Sequence, residues 1–272
     1  MSNPAVVKSN GNFLSGYQPI TAIDESTLDT GIEFGILKIL PHEVFETVSP
    51  FESLWLLFSG SVFTEFDGGQ WSAKRESLFD EGPSCLHLSK GRKIKIKAGD
   101  GPVEIGVVKT RNDQNFSHRI FSPKDMKVEY RGEGLAQGAC LREVRQIFDK
   151  STRPESNLVL GEVVNYPGRW SSYPPHHHPQ PEIYHYRFTA DQGYGHAELG
   201  DEVYKIQNRD TVKILNNVDH GQVSAPGYGM YYLWMIRHLP QNPYCGFEFT
   251  EEHKWILDPE NQGWKPRNDH GK

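Results

Sequence analysis

Short apolar runs separated by turn residues constrain the fold of this chain more than any other feature of its sequence. Residues 31–40 (GIEFGILKIL) and 51–66 (FESLWLLFSGSVFTEF) are rich in β-branched and aromatic residues, a composition typical of β-strands. Lysine and isoleucine alternate over residues 93–97, so Ile94 and Ile96 should share the buried face of one strand. Many short strands separated by Gly, Pro and Asp turns predict an all-β protein, built as a sandwich or a barrel.

The second half of the chain repeats the pattern of the first. Strand-like runs recur between residues 156 and 237, while residues 141–149 (LREVRQIFD) fit a short helix or a strand equally well. A chain of 272 residues is long enough for two domains. The pattern predicts two related β-domains, residues 1–137 and 138–272, and the second is expected to end in an irregular tail from residue 250.

Composition excludes several classes of function. The net charge is −6 and the pI is about 6.1, which argues against the basic face that a nucleic-acid-binding protein needs. The longest apolar runs, residues 55–58 and 231–236, have the length of strands, so no membrane association is predicted. Three widely separated cysteines and an N-terminus unlike a signal peptide predict a protein of the reducing cytoplasm.

Residues 168–188 (GRWSSYPPHHHPQPEIYHYRF) contain the densest group of potential metal ligands, in a half that holds nine of the twelve histidines. Three consecutive histidines precede Glu182 by four to six residues. Because side chains on a strand alternate between faces, His176 and His178 can share one face while His177 points away. The alternative is a solvated histidine loop beside the prolines.

The strand that follows the histidines, EIYHYRF, orders its side chains in the same way. Alternation places Glu182, Tyr184 and Tyr186 on the face of the histidine pair, where the tyrosines would form walls of a pocket. His185 and Arg187 should face outward, and His185 is interpreted as an exposed or hydrogen-bonded residue rather than a ligand.

A metal site needs a further donor from a distant part of the chain. His220 is the best-placed candidate because it follows an apolar strand directly, whereas its rivals His196, His238 and His253 do not. Three imidazoles and one carboxylate suit a single divalent ion of the first transition row. The donor set does not choose among these ions; zinc is taken as the leading candidate, with manganese, iron, nickel or cobalt as alternatives.

These residues resemble a known metal motif, that of the cupin superfamily. The matching positions are Gly168, His176, His178, Glu182 and His220. The segments WSSYPPHHH, EIYHYRF and APGYGMYYLWM more specifically resemble the 5-deoxyglucuronate isomerase family of inositol catabolism. The 4-deoxy-5-threo-hexosulose-uronate ketol-isomerases of pectin breakdown form a related family. The sequence departs from the family pattern around His220, where Val218-Asp219 and Gly221 replace the usual neighbours, and at Arg169.

The resemblance implies a bicupin, with two jelly-roll β-barrels and metal ligands only in the C-terminal barrel. It also implies an aldose–ketose isomerase, an intramolecular oxidoreductase that converts 5-deoxyglucuronate to 5-dehydro-2-deoxygluconate. The expected partner is therefore a small deoxyuronic acid, and a homo-oligomer is left open. The pectin-derived deoxyuronate, a metal-dependent dioxygenase and a non-catalytic sugar-binding cupin are the alternatives.

Roles for individual residues follow from this reaction. His176, His178, Glu182 and His220 are predicted to bind the metal. Glu182, Tyr184 and Tyr186 are the predicted catalytic residues, although the base that removes the carbon-bound proton is not identified. Arg169, Lys213 and Tyr232 are predicted to bind substrate, the two cations because the substrate carries a carboxylate.

Overall fold

The computed structural model describes residues 5–261 and 263–265, and strands are the main element of that part of the chain. The predicted all-β fold is confirmed. Lysines and isoleucines alternate between exposed and buried positions along residues 93–97, as the sequence predicts. Among the described residues, no helix has both the length and the apolar surface required to cross a bilayer.

The strands follow one another in short steps. Those before residue 138 are β1 (Val6–Val7), β2 (Gly16–Thr21), β3 (Ile32–Ile39), β4 (Val44–Val48), β5 (Glu52–Phe66), β6 (Gly69–Arg75), β7 (Cys85–Leu88), β8 (Lys93–Ala98), β9 (Val103–Thr110), β10 (Arg119–Phe121) and β11 (Lys127–Arg131). The later strands are β12 (Arg142–Phe148), β13 (Leu158–Asn165), β14 (Trp170–His177), β15 (Glu182–Phe188), β16 (Tyr194–Leu199), β17 (Glu202–Gln207), β18 (Thr211–Ile214), β19 (His220–Ser224), β20 (Met230–Arg237) and β21 (Glu248–Phe249). Three 3-10 helices cover Pro123–Asp125, Leu135–Gly138 and Glu251–Leu257.

Hydrogen bonding joins these strands into three sheets. A nine-stranded sheet has the order β10-β7-β5-β9-β3-β2, with β6 and β8 paired to the long β5 and β4 paired to β8. A seven-stranded sheet has the order β1-β18-β15-β20-β13-β12-β11, and a five-stranded sheet has the order β17-β16-β19-β14-β21. Within the described residues no sheet closes on itself, so the expectation of closed barrels is corrected. In the later half, the seven-stranded and five-stranded sheets instead pack face to face, with apolar side chains between them.

The central strands of the seven-stranded sheet are buried on both faces, and every residue of β13 and β15 is buried. One face packs on the five-stranded sheet, and the other packs on the nine-stranded sheet through residues such as Phe34, Phe58 and Leu233. A sheet covered on both sides loses the polar, solvated face that simple alternation assumes. The second face of β15 was expected to be exposed to solvent. This expectation is wrong, because that face packs against the other half of the protein.

His185 shows this correction most clearly. Its ring is fully buried, with its centroid 4.9 Å from that of Phe34 and 6.0 Å from that of Phe58. Its nitrogens are hydrogen-bonded at 2.9 Å to Thr211 Oγ1 and at 3.1 Å to Arg187 Nε, which donates. Burial, and then the charge of Arg187, hold the pKa of His185 well below its usual value. His185 is thus a neutral, hydrogen-bonded residue of the interface between the two halves.

A buried ion pair also joins the two halves. Arg75 of β6 donates to both carboxylate oxygens of Glu162 of β13, at 2.7 and 2.8 Å, and both side chains are at most 1% exposed. Tyr231 Oη donates to Glu162 Oε1 at 2.8 Å, and Arg145 lies 3.6 Å from Oε2. Bidentate pairing with a further hydrogen bond is the geometry that a buried carboxylate requires.

Sheet membership does not follow the predicted boundary at residue 138. β1 pairs with β18 and β11 pairs with β12, so two segments from before that boundary extend the seven-stranded sheet of the later half. The tail predicted to be irregular contains the 3-10 helix at Glu251–Leu257. Residue 262 and residues 266–272 of that tail lie outside the described residues.

Candidate metal centre and active site

Three strand ends bring the candidate ligands together. His176 lies near the end of β14, directly opposite His220 in the antiparallel pairing with β19, and Glu182 is the first residue of β15. His178 follows β14 immediately. His176 and His220 are 44 residues apart in sequence. These candidate ligands become neighbours because their strands pair. Local spacing places His176 and His178, and sheet topology supplies His220.

The four side chains form a compact buried cluster, and none of them is more than 7% exposed. One ring nitrogen from each histidine lies within 4.8 Å of those of the others. Glu182 Oε2 lies 3.1 Å from His178 Nε2 and 3.3 Å from His220 Nε2. The structure thus brings together all four residues that the sequence selects.

The donor set fits a divalent first-row ion. Among the described residues, each of the three histidines has one buried ring nitrogen without a hydrogen-bond partner: Nδ1 of His176, Nδ1 of His178 and Nε2 of His220. His220 Nδ1 lies 3.0 Å from the carbonyl oxygen of Val218, which assigns the proton to Nδ1 and leaves Nε2 with a free lone pair. Buried nitrogens without partners are costly unless a ligand uses them.

The electrostatics of the cluster favour the protonation states that bind a metal. Burial, followed by the proximity of His220 and His178, holds the pKa of His176 well below its usual value, so the ring is neutral. Burial alone would raise the pKa of Glu182. The hydrogen bond with His178 and the proximity of His220 outweigh that effect and lower the pKa, so Glu182 is ionised.

His177, the middle residue of the histidine run, turns away from the cluster. Its Nδ1 lies 2.6 Å from Asp219 Oδ1. This contact ties the end of β14 to the residue just before His220. His177 therefore links the two ligand-bearing segments from outside the site.

The three rival histidines lie elsewhere. His196 is exposed on β16, and His253 lies in the 3-10 helix, where its ring stacks on Tyr173 with centroids 6.2 Å apart. His238 follows β20 and is 5% exposed, and its Nδ1 accepts a hydrogen bond of 2.9 Å from the backbone N–H of Tyr244. None of the three belongs to the histidine cluster.

The His238 environment predicts a pH dependence of stability. Burial, and then the charge of Lys150, lower the pKa of His238 from 6.5 to about 4. Between these values the unfolded chain binds the proton that the folded chain excludes, so the free energy of unfolding should rise with pH from about 4 to 6.5. Urea unfolding across this range should show a shallower slope for His238→Gln. The exposed-site variant His196→Gln should keep the wild-type slope, and an unchanged slope in His238→Gln would contradict the assignment.

A cavity of about 400 Å³ opens beside the cluster. It is lined by His176, His178 and Glu182 and by other titratable side chains that include Arg131, Arg142, Lys150, Tyr184 and Tyr232. Burial raises the pKa of both tyrosines, and for Tyr184 the charge of Glu182 adds to the effect, so both phenols keep their protons at neutral pH. The cavity thus combines a candidate metal centre with hydrogen-bond donors and cations.

Tyr186 is not among the residues that line the cavity. It is fully buried, and its hydroxyl donates to Gln222 Oε1 at 3.2 Å. Gln222 in turn donates to Ser172 Oγ at 2.9 Å, and Ser171 Oγ lies 2.5 Å from Tyr232 Oη. Tyr186 therefore lies behind the cavity wall and contacts it through Gln222, whereas Tyr184 and Tyr232 line the cavity.

The two cations predicted to bind substrate point elsewhere. Arg169 donates to the carbonyl oxygen of Gly138, and Lys213 forms an ion pair with Glu25 on the opposite face of the seven-stranded sheet. Neither lines the cavity. Arg142, which was not among the predicted residues, does line it. The signal was present in the REVRQIF alternation, but that segment fitted a helix as well as a strand.

The segment from Tyr244 to Phe249, which directly precedes the C-terminal tail, covers one side of the cluster. The ring centroid of Phe247 lies 4.3 Å from that of His176, and the centroid of Tyr244 lies 5.0 Å from that of His178. β21 pairs with the end of β14, which fixes this segment in place. Aromatic side chains therefore shield one side of the histidines from water.

Comparison with known proteins decides the family. Residues 6–256 match the sequence model of the KduI/IolB family, and this match spans most of the chain. The chain belongs to the KduI/IolB family. The predicted resemblance is confirmed, and the curated relatives that the chain matches are isomerases by name.

Curated relatives and solved structures match the chain over most of its length. A 5-deoxy-glucuronate isomerase of Lacticaseibacillus casei is 26% identical, covering 92% of this chain and 97% of the relative. One from Bacillus licheniformis has the same identity and coverage. An IolB-like protein of Salmonella typhimurium has a similar fold, with a TM-score of 0.83 at 22% identity over 94% of this chain and 100% of that chain. An oxalate decarboxylase of Lactobacillus farciminis has a TM-score of 0.64 at 13% identity, covering 89% and 86%.

Proposed function

We propose that this protein is a metal-dependent aldose–ketose isomerase that converts 5-deoxyglucuronate to 5-dehydro-2-deoxygluconate in inositol catabolism, in the cytoplasm. The observation that carries the proposal is the buried cluster of three histidines and Glu182, which borders a cavity with protonated tyrosines and cations. Family membership and the names of the relatives support the isomerase class and the deoxyuronate.

We assign the metal to His176, His178, His220 and Glu182, with zinc as the leading candidate. When bound there, a divalent ion would supply Lewis-acid polarisation of the substrate carbonyl and neighbouring hydroxyl. The domain proposal follows from the placement of these ligands. The later half, predicted as residues 138–272, is a cupin-like metal-binding unit, and the earlier half, predicted as residues 1–137, is a related unit without ligands.

The reaction moves a proton between adjacent carbons through an enediol. The residues of the cavity have different roles in this reaction. Glu182 is held between His178 and His220, which suits it to ligation rather than to proton removal. Tyr184 and Tyr232 hold their protons and can donate hydrogen bonds to the oxygens on which charge develops. Tyr186 supports the wall that carries Tyr232 rather than contacting the substrate.

The decisive experiment combines elemental analysis of the purified protein with turnover of two substrates under anaerobic conditions. We expect stoichiometric divalent metal, and conversion of 5-deoxyglucuronate without oxygen uptake at a kcat/KM at least about tenfold above that for the pectin-derived deoxyuronate. Oxygen-dependent turnover would favour a dioxygenase, and sugar binding without turnover would favour a non-catalytic protein. Either result would refute the proposal.

A further inference from the structure

Arg142 is a buried cation that lacks a negatively charged partner. Its side chain is 8% exposed, and Nη1 donates a hydrogen bond of 3.0 Å to the carbonyl oxygen of Cys140. Within the described residues it forms no ion pair with a carboxylate, and the titratable side chains that affect it most are Tyr232, Arg131, Cys140 and Tyr184. A guanidinium cannot avoid the cost of burial by losing its proton in the physiological range.

The place of Arg142 in the fold relates this charge to the candidate active site. β12 lies two strands from β20, which carries Tyr232, and alternation sends Arg142 and Val144 to the same face of the sheet. Arg142 lines the cavity that His176, His178 and Glu182 also line.

The other cations of the cavity, Arg131 and Lys150, are less deeply buried than Arg142. Arg131 has a side chain 38% exposed, and its Nε donates to Glu129 at 2.8 Å. Lys150 donates to the carbonyl oxygen of Ser156 at 3.0 Å. Arg142 is thus the cavity cation that is both deeply buried and without a carboxylate, and a planar guanidinium matches a carboxylate in shape.

We infer that Arg142 binds the carboxylate of the substrate and makes the cavity selective for uronic acids over neutral aldoses. This inference rests on the proposed isomerase function and names the residue that selects its substrate class. The substrate carboxylate is at the opposite end of the carbon chain from the reacting carbonyl. Arg142 would therefore hold the far end of the molecule while the carbonyl faces the histidine cluster.

The test compares a charged and a neutral substrate in Arg142→Gln and Arg142→Lys. For 5-deoxyglucuronate, Arg142→Gln should lower kcat/KM about 100-fold, mainly through KM, because a charge-assisted contact is lost. For the neutral analogue with a hydroxymethyl group in place of the carboxylate, kcat/KM should stay within about threefold of wild type. Arg142→Lys keeps the charge but not the bidentate geometry, so its loss should be intermediate. Lys127→Gln removes an exposed cation of β11 as the control.

Equilibrium binding separates this inference from the isomerase proposal. Isothermal titration should show that wild type binds D-glucuronate at least about tenfold more tightly than D-glucose, and that Arg142→Gln abolishes the preference. If this holds while wild type shows no turnover, the isomerase proposal fails and the carboxylate site stands. If the preference persists in folded, metal-loaded Arg142→Gln, or is lost in Arg131→Gln instead, the inference is wrong. Should Arg142→Gln not fold, Arg142→Lys carries the same comparison.

Discussion

The His178→Ala variant should lose its bound metal and, with it, isomerase turnover. Removing one of four donors should weaken metal binding at least about 100-fold, or roughly 2.7 kcal/mol. His178 is 5% exposed, and its Nε2 lies 3.1 Å from Glu182, so the variant also leaves that carboxylate with one partner fewer. Elemental analysis after dialysis and the anaerobic turnover assay measure the two effects separately.

His196→Ala provides the matched control for this prediction. His196 belongs to β16 of the same five-stranded sheet, but it is exposed and lies outside the cluster. It should retain both metal and activity. The metal-centre assignment would fail if wild-type protein carried no stoichiometric metal, or if His178→Ala matched wild type in metal content, stability and turnover.

Glu162→Gln should be the most destabilising single change among those considered. It leaves Arg75, which is 1% exposed, without the carboxylate that neutralises it. Breaking a buried ion pair from one side typically costs about 3–5 kcal/mol. Urea denaturation of the metal-loaded protein should show a loss of this size in the free energy of unfolding.

Two further variants test the physical cause of that loss. Lys74→Met removes the adjacent exposed pair with Glu76, both of whose side chains are about 70% exposed, and should change the free energy of unfolding by less than about 0.5 kcal/mol. Replacing both partners, as Arg75→Met with Glu162→Leu, should cost less than Glu162→Gln alone, because Arg75 no longer leaves an unpaired charge and Arg145 keeps its ion pair with Glu143. A double variant as unstable as the single one would show that the loss arises from packing.

The histidine–glutamate cluster was largely accessible from the sequence because its information is local. The HxH pair and Glu182 lie within seven residues of one another, and strand alternation is a strict geometric rule. His220 was found because an apolar strand directly precedes it. The alternation of lysine and isoleucine over residues 93–97 predicted the burial of β8 for the same reason.

The cation proposed to bind the substrate was not accessible in this way. Lys213 has the right charge, but its strand turns it toward Glu25 on the face that meets the other half of the protein. Arg142 belongs to a segment whose pattern fits a helix or a strand. Arg142 is proposed to bind the substrate because no carboxylate pairs with it among the described residues. Such an absence depends on every neighbouring element and cannot be read from local spacing.

By itself, the sequence predicted the all-β class and the shared face of His176, His178 and Glu182, since both depend on periodicity along the chain. It selected His220 as a candidate, and the pairing of β14 with β19 brought that residue to the cluster. Only the tertiary structure decided that the seven-stranded sheet is covered on both faces, which buries His185 and the Arg75–Glu162 pair between the halves. It also decided which cation faces the cavity. The physical reason is that alternation assigns a side chain to one of two faces, whereas packing between sheets determines what each face meets.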